Sequence, residues 1–148
     1  MVVGKPLSEE EIRELLVKEK TCWLATISVR REPHLIPIHF GFFNGVVHII
    51  FVNNKAKSIR NIENNPRVCF GINVGERAGE IKCVLIYGKA DIIDNIDTLK
   101  KAHLKILTKY LPSKKEAEEF LQRLVNSGAI TKRALVVIKP QKIISWKL

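Results

Sequence analysis

The stretch FVNNKAKSIRNIENNPRVCF, residues 51–70, gives the clearest indication of the fold of this chain. Its first residues continue an apolar strand, its last residues begin another, and a short helical pattern lies between them. Asn53 and Asn54 are predicted to open this helix. Asn65 before Pro66 is predicted to close it, because a residue that precedes proline is disfavoured in the helical conformation.

The charges at the start of this predicted helix are unusual. Lys55, Lys57 and Ser58 are predicted to lie in its first turn, and the first acid is Glu63. Acids are the favourable charges at a helix start, where the backbone dipole is positive and several N–H groups lack partners. Two cations there favour a separate anion, and a phosphate monoester with nearly two negative charges fits best. The alternative is a surface helix with two exposed lysines.

Length and composition predict one ordinary domain over residues 1–148, with 46% hydrophobic and 27% charged residues. The longest apolar runs are far shorter than the roughly 20 residues that cross a bilayer. The N-terminus lacks the apolar stretch of a secretory signal. Cys22, Cys69 and Cys83 form no CxxC pair and lie in apolar runs, so we predict reduced core cysteines in a cytoplasmic protein.

The net charge of +10 is concentrated in the last third, where residues 100–148 hold 12 Lys/Arg against 3 Glu. Such an asymmetry is a feature of nucleic-acid-binding proteins. Because no arginine-rich run or nucleic-acid motif accompanies it, we favour the alternative that these lysines cover the exposed faces of two amphipathic helices.

Six runs rich in apolar and β-branched residues predict six strands, at residues 22–29, 34–43, 46–52, 67–74, 81–94 and 133–148. Asn44-Gly45 is a strong hairpin signal, and Gly88 marks a bulge or bend in the long fifth strand. Strands of this length, joined mostly by short turns, favour a closed or partly closed antiparallel barrel with peripheral helices.

Three further helices are predicted from capping signals and apolar periodicity. Ser8 and Glu11 form a capping box before the first, and residues 99–110 repeat at helical spacing in the second. Ser113 and Glu116 form another box before the third, and Gly128 suits its C-terminal cap.

The segments together resemble the flavin-binding split-barrel superfamily typified by pyridoxamine 5′-phosphate oxidase. The matching pieces are residues 51–70, LATIS (24–28), EPHLIPIHF (32–40), YGKADII (87–93) and VVIKPQKIISWKL (136–148). The resemblance covers roughly residues 8–95 and 133–148. It implies a mainly β, α+β fold, a six-stranded antiparallel split β-barrel of Greek-key type with peripheral helices.

The resemblance also implies that FMN is the cofactor and that its phosphate lies at the basic helix start. The cofactor-binding residues expected there are Val52, Asn53, Lys55, Lys57 and Ser58. The family commonly has lysine where this chain has Ser58. Either Lys57 makes the phosphate contact instead, or Lys55, Lys57 and Ser58 share it.

The flavin ring is expected along the second predicted strand, at Ile36, Pro37, Ile38 and His39. A ring needs a flat apolar wall and a few main-chain donors, and this stretch offers both. The alternative is that the two isoleucines belong to the barrel core and that Pro37 marks an edge strand.

The family further implies a homodimer with two flavin sites at its interface. Trp146 is expected to pack on the flavin of the partner subunit, or alternatively to plug the end of the barrel. The predicted function is that of an oxidoreductase passing hydride or electrons between FMN and a small substrate. The alternatives are a deazaflavin-dependent reductase, a non-enzymatic flavin or electron carrier, and a basic nucleic-acid-binding barrel.

No catalytic residue and no metal site are predicted. The four histidines show no ligand spacing that would indicate a metal or heme site, and GxSxG, GxGxxG and Walker motifs are absent. Oxidation of pyridoxamine 5′-phosphate itself is not expected. The resembling enzymes end in an arginine-rich segment that clamps the substrate, and this chain ends in ISWKL (144–148).

Overall fold

The computed structural model describes residues 4–148, and within that range the chain forms seven β-strands, four α-helices and a short 3₁₀ helix. The strands are β1 (Thr21–Ile27), β2 (Pro33–His39), β3 (Gly41–Phe43), β4 (Val46–Phe51), β5 (Arg67–Val74), β6 (Lys82–Ile93) and β7 (Ala134–Lys147). The helices are α1 (Glu9–Lys18), α2 (Lys57–Asn64), α3 (Ile96–Tyr110) and α4 (Lys114–Ser127), and the 3₁₀ helix is Ala129–Lys132.

The order of the strands forces the sheet to curl into a barrel. The sheet is antiparallel, and its order is β2-β1-β5-β6-β7-β4-β3. A flat sheet would hold its outermost strands roughly 28 Å apart. Yet only Phe40 separates β2 from β3, and one residue spans about 7 Å between its neighbours. The two edges therefore come close at Phe40 but do not pair with each other within residues 4–148, as in the expected split barrel. The order β4-β7-β6-β5 is that of a Greek key.

The prediction of six strands is wrong, because the run at 34–43 divides at Phe40. His39 pairs with Thr21 in β1, and Gly41 pairs with His48 in β4. At the junction, the Phe40 N–H donates to the Tyr110 hydroxyl oxygen at 3.0 Å. Gly41 packs so tightly that a Cβ atom there would lie 2.8 Å from Ile106 Cγ1. Helix α3 thus holds the chain where it changes from one pairing to the other.

The local turn and bulge predictions are confirmed. Asn44 and Gly45 join β3 to β4 with φ angles of 55° and 75°, the positive values of a type I′ hairpin turn. The register of β6 against β7 shifts between Tyr87 and Gly88. A side chain at Gly88 would collide with the carbonyl oxygen of Lys139, so glycine is required at this bulge.

The predicted helix ends are confirmed at three helices. Ser8 and Glu11 form both bonds of the capping box of α1. The Ser113 hydroxyl accepts from the Glu116 N–H at the start of α4, and Gly128 ends that helix with a left-handed φ of 79°. Helix α2 ends at Asn64, before Asn65 and Pro66, as predicted.

The main core fills the barrel, and a second cluster lies beneath α3 and α4. Leu24, Phe40 and Phe70 are fully buried in the first, and Leu99 and Leu135 belong to the second. The cysteine prediction is confirmed for Cys22, which is buried. Cys69 and Cys83 are only half-buried, because they point to the outside of the sheet.

Most lysines of α3 and α4 lie on exposed faces, as the amphipathic patterns predicted. Lys109 is an exception. Its Nζ donates to the carbonyls of Leu16 and Phe40 at 3.3 and 3.4 Å, and burial lowers its pKa to about 8.

No helix within residues 4–148 has the length and apolar character to span a bilayer. In the same range, no cluster of three or more His, Cys, Asp or Glu side chains is arranged to hold a metal ion.

Candidate functional site

Helix α2 begins differently from the other α-helices of residues 4–148. Side chains cap α1, α3 and α4, whereas the N-cap of α2 is Ala56 and its first turn contains no acid. The first backbone N–H groups of α2 therefore lack a side-chain acceptor, and Lys57 is its first residue. Lys55 and Lys57 are exposed, and neither belongs to an ion pair within the described chain. This helix start can accept an anion.

Lys55 lies just before α2, so its predicted place in the first helical turn is wrong. Asn53 does not open the helix. Its side-chain oxygen accepts from the Lys55 N–H at 2.9 Å, and its carbonyl accepts from the Ala56 N–H at 3.0 Å. The next residue, Asn54, donates its N–H to the Lys132 carbonyl at 2.7 Å. Asparagine side chains stabilise turns as readily as helix starts, and here the turn is formed.

Ser58 points away from the two lysines. It is 1% exposed and packs on the side of α2 that also buries Ile59 and Asn61. The Asn61 side-chain amide donates to the Thr26 hydroxyl at 3.0 Å, which fixes this side of the helix against β1. Lys55 and Lys57 are therefore exposed, whereas the Ser58 hydroxyl is held against the barrel.

The four residues expected to line the flavin ring alternate between the two faces of β2. Ile36 and Ile38 are half-buried against the main core, and Pro37 and His39 are exposed on the other face. Because side chains of a strand alternate, the four side chains lie on two faces, and the expectation that this strand lines the flavin ring stays a prediction. The edge position inferred from Pro37 is confirmed, since β2 ends the sheet order. Its outer edge offers main-chain N–H and C=O groups that no strand of residues 4–148 pairs.

A pocket of about 370 Å³ lies between the strand ends and the helices. Strands β2 and β4 and the residue after β4 contribute Ile38, His39, Ile50 and Val52. The remaining wall comes from α3, α4 and the residue before β7, namely His103, Ile106, Leu107, Tyr110, Phe120 and Arg133. Three predicted site residues, Ile38, His39 and Val52, thus meet in one cavity, and Lys55, Lys57 and Ser58 do not line it.

Two polar side chains of this pocket, neither of them predicted from the sequence, have buried atoms without hydrogen-bond partners among the described residues. They are Nδ1 of His103 and Nε of Arg133. His103 is 4% exposed, and burial, reinforced by the Arg133 charge, lowers its pKa to about 4. Burial also lowers the pKa of Arg133. In the sequence, only weak signals indicate these two residues. His103 lies within the apolar stripe of a helix, and Arg133 precedes a very apolar strand.

Tyr110 and His39 form one side of the pocket. Their rings stack with centroids 4.1 Å apart and an angle of 12° between planes. The Tyr110 hydroxyl donates to the Lys20 carbonyl and accepts from the Phe40 N–H, so the ring is anchored. Burial raises the pKa of Tyr110 to about 12, so its hydroxyl is protonated at neutral pH.

The outer sheet face, which we define by Trp23, Leu35, Leu85, Tyr87, Ile144 and Trp146, presents large apolar side chains outside the barrel. Trp23, Gly71, Leu85 and Ile144 are consecutive cross-strand partners and share this face. Trp146 lies two residues after Ile144 and therefore points the same way, beside Cys83. Trp146 is half-buried on the outside, which contradicts the alternative that it plugs the barrel.

The sequence profile described as pyridoxamine 5′-phosphate oxidase matches residues 8–147. The chain belongs to the pyridoxamine 5′-phosphate oxidase family. This assignment confirms the resemblance found in the segments at 24–40, 51–70 and 87–93. A search of curated proteins gives no match.

Solved structures confirm the split-barrel fold of this family. A conserved hypothetical protein from Mycobacterium tuberculosis superposes with a TM-score of 0.86 at 23% identity, covering 99% of this chain and 89% of that one. A FAD-binding protein from Mesorhizobium loti gives 0.68 at 15% identity, covering 97% of both chains. An F420 reductase gives 0.66 at 18% identity, covering 88% and 94%.

Members of this fold carry different cofactors. A heme storage protein from Vibrio cholerae also superposes, with a TM-score of 0.66 at 20% identity over 91% of this chain and 92% of its own. At these identities the similarity establishes the fold, and the cofactor has to be argued from the residues of this chain.

Proposed function

We propose that this protein is an FMN-binding oxidoreductase that acts as a homodimer. The observation that carries the proposal is the start of α2, which has no side-chain cap and no acid and which begins with Lys57. The terminal phosphate of FMN has nearly two negative charges, and it suits free backbone donors with a cation beside them. Membership of the pyridoxamine 5′-phosphate oxidase family supports a redox function.

The residues fit the cofactor in two places. The N–H groups of Lys57, Ser58 and Ile59 and the Lys57 ammonium group would hold the phosphate, with Lys55 close in sequence. The free edge of β2 would hold the ring through main-chain groups. Pro37 has no N–H, so the donors on this strand come from its neighbours. Val52 and Asn53 lie between the two places along the chain.

FMN, when bound, supplies transfer of hydride or electrons to or from a small substrate. The residues of the chain hold the cofactor in position. The buried side of α2, where Asn61 bonds to Thr26, holds the helix start rigidly, and the turn at Asn53 sets the position of Lys55.

The outer sheet face supports the proposed dimer. Trp23 and Leu35 on the paired strands β1 and β2 are 47% and 59% exposed, and Tyr87 on β6, beyond β5, is 41% exposed on the same face. Contiguous apolar surface of this kind marks an interaction site, and aromatic residues are enriched at protein interfaces. A second copy packed on this face would bring Trp146 of each subunit toward the partner, where it would cover the flavin.

The phosphate contact is tested with single variants of the full chain. Lys57→Ala should weaken FMN binding about tenfold or more, which corresponds to loss of a charge-assisted hydrogen bond of roughly 1.5–3 kcal/mol. Lys55→Ala should have a smaller effect because Lys55 precedes the helix. Ser58→Ala should have an effect no larger than that of Lys57→Ala. Affinities would be measured by quenching of flavin fluorescence.

Lys114→Ala is the matched control, because Lys114 is the first residue of α4 and that helix is capped by Ser113. It should leave FMN binding unchanged. Riboflavin, which lacks the phosphate, should bind the wild type poorly and be indifferent to Lys57→Ala. Equal losses for FMN and riboflavin would show that the phosphate lies elsewhere.

The dimer is tested by sedimentation. Leu35→Glu introduces a charge into the outer sheet face, so it should produce a monomer with weakened FMN binding. A wild-type monomer that binds FMN tightly would refute the shared site.

A deazaflavin is the second candidate cofactor. Ser58 replaces the lysine that is common in the family, and this lowers the positive charge at the helix start. With one positive charge fewer, this helix start suits a phosphodiester, which has one negative charge, better than a phosphate monoester, which has nearly two. Tight binding of F420 with weak binding of FMN would favour this candidate. Tight FMN binding without turnover of any reductant or acceptor would favour a carrier.

A further inference from the structure

The pocket between β2, β4 and the two long helices contains a cation without an anion. Arg133 is half-buried at its wall, and its Nε atom has no hydrogen-bond partner in the part of the chain that the structure describes. No Asp or Glu is among the described residues that line this pocket. Arginine stays charged in proteins, so the pocket presents a positive charge that the fold does not neutralise.

His103 supplies the second polar group of this pocket. It is 4% exposed, and its Nδ1 atom also lacks a hydrogen-bond partner within residues 4–148. Its ring meets Phe120 edge to face, with centroids 6.5 Å apart, so Phe120 fixes its orientation. His103 and Arg133 therefore bring two polar side chains to the wall of one cavity, and no hydrogen bond within residues 4–148 satisfies the buried ring nitrogen of the one or Nε of the other.

The rest of the pocket is mostly apolar. Ile38 and Ile106 contribute aliphatic surface, and the stacked rings of His39 and Tyr110 form an anchored aromatic side. The volume of about 370 Å³ lies at the lower end of the range for small-molecule sites. It suits a molecule of one or two rings.

We propose that this pocket binds a small organic anion, with a flat apolar body between the aromatic and aliphatic walls and a carboxylate or phosphate at Arg133 and His103. The terminal guanidinium N–H groups of Arg133 would donate to two oxygens of the anion. The His103 ring, in the tautomer protonated on Nε2, would donate to the anion as well.

This ligand is the class of substrate that we assign to the enzyme, and that assignment rests on the proposed function. Ile38, His39 and Val52 line the pocket and also belong to the residues expected at the flavin. Binding of the anion itself requires only the pocket, so it can be measured in full-length protein with and without added FMN.

The probes are benzoate, phenyl phosphate and the uncharged isostere benzamide, titrated into the ¹⁵N-labelled full chain. We expect benzoate or phenyl phosphate to bind at least tenfold more tightly than benzamide and to shift the ring nitrogen signals of His103. The tighter of the two anions identifies the group that the site recognises. Binding of benzamide as tight as that of both anions would overturn the proposal.

Variants of the two polar residues test the assignment. Arg133→Gln should weaken anion binding about tenfold or more and leave benzamide binding unchanged. Arg133→Lys keeps the charge but not the planar fork, and it should have a smaller effect. His103→Gln should weaken the anion several-fold. Arg30→Gln is the matched control, because Arg30 is an exposed arginine in the turn between β1 and β2, and it should change nothing.

Each remaining outcome is decisive. Anion binding that Arg133→Gln and Arg133→Lys leave unchanged would overturn the proposal. The proposal would also be overturned if FMN displaced benzoate one for one and Arg133→Gln weakened FMN binding. The pocket would then hold the cofactor. Benzoate binding that persists in protein unable to bind FMN would keep the anion site and refute the flavin proposal alone.

Discussion

His103 should make the stability of this protein strongly dependent on pH. The side chain is 4% exposed, and its pKa lies at about 4 in the folded chain, mainly because burial disfavours the charged ring and partly because Arg133 repels it. The ordinary pKa of 6.5 applies once the chain unfolds. Between these two values the unfolded state binds a proton that the folded state does not, so acid favours unfolding.

The size of the effect follows from the two pKa values. Each unit of difference corresponds to 1.36 kcal/mol, so His103 should lower the free energy of unfolding by about 2 kcal/mol between pH 7 and pH 5. By pH 4 the loss should reach about 3 kcal/mol. The stabilising contribution is complete above pH 6.5 and is lost as the pH falls toward 4.

Urea unfolding of the wild type and of His103→Gln at a series of pH values isolates this contribution. Glutamine cannot titrate, so the variant should lose less stability between pH 7 and pH 4, by about the amounts given above. Arg133→Gln removes the repelling charge, so it should raise the pKa of His103 in an NMR titration of the ring. Identical pH dependence in the wild type and His103→Gln would refute the argument.

Three other predictions address the outer face, the support of α2 and the bulge. Trp146→Ala should loosen FMN and brighten flavin fluorescence while the circular dichroism spectrum stays native, and unchanged fluorescence would count against a covering role. Thr26→Val should lower the free energy of unfolding by about 1–3 kcal/mol, because the buried Asn61 amide loses its acceptor. A loss below 0.5 kcal/mol on the same urea assay, well under that ~1–3 kcal/mol range, would contradict it. Gly88→Ala should cost at least about 2 kcal/mol or prevent folding, since its Cβ would collide with the Lys139 carbonyl, and a native melting temperature would refute this.

Features set by neighbouring residues could be read from the sequence. The Asn44-Gly45 turn, the capping box of Ser8 and Glu11, and the left-handed Gly128 involve residues at most three positions apart. Their geometry depends on local sterics and nearby hydrogen bonds, so the chain specifies them before it folds. The ordered segments around them were also sufficient to predict the split barrel.

Asn53 shows where local reasoning reaches its limit. An asparagine can cap a helix or stabilise a turn, and both use the same side-chain oxygen. The Asn54 N–H bonds to Lys132, which lies 78 residues later in the chain, and that contact accompanies the turn. The helix therefore begins at Lys57, and Lys55 lies outside it.

The tertiary structure alone decided the rest. The strand at 34–43 divides because Tyr110 and Ile106 of a distant helix meet the chain at Phe40 and Gly41. The pocket forms because His103 and Arg133, which are thirty positions apart, come together only when α3 packs beside the start of β7. The sequence determined the hairpin turn, the caps of α1 and α4 and the family fold. The position of buried charges depends on contacts between segments far apart in the chain, and no local pattern encodes those contacts.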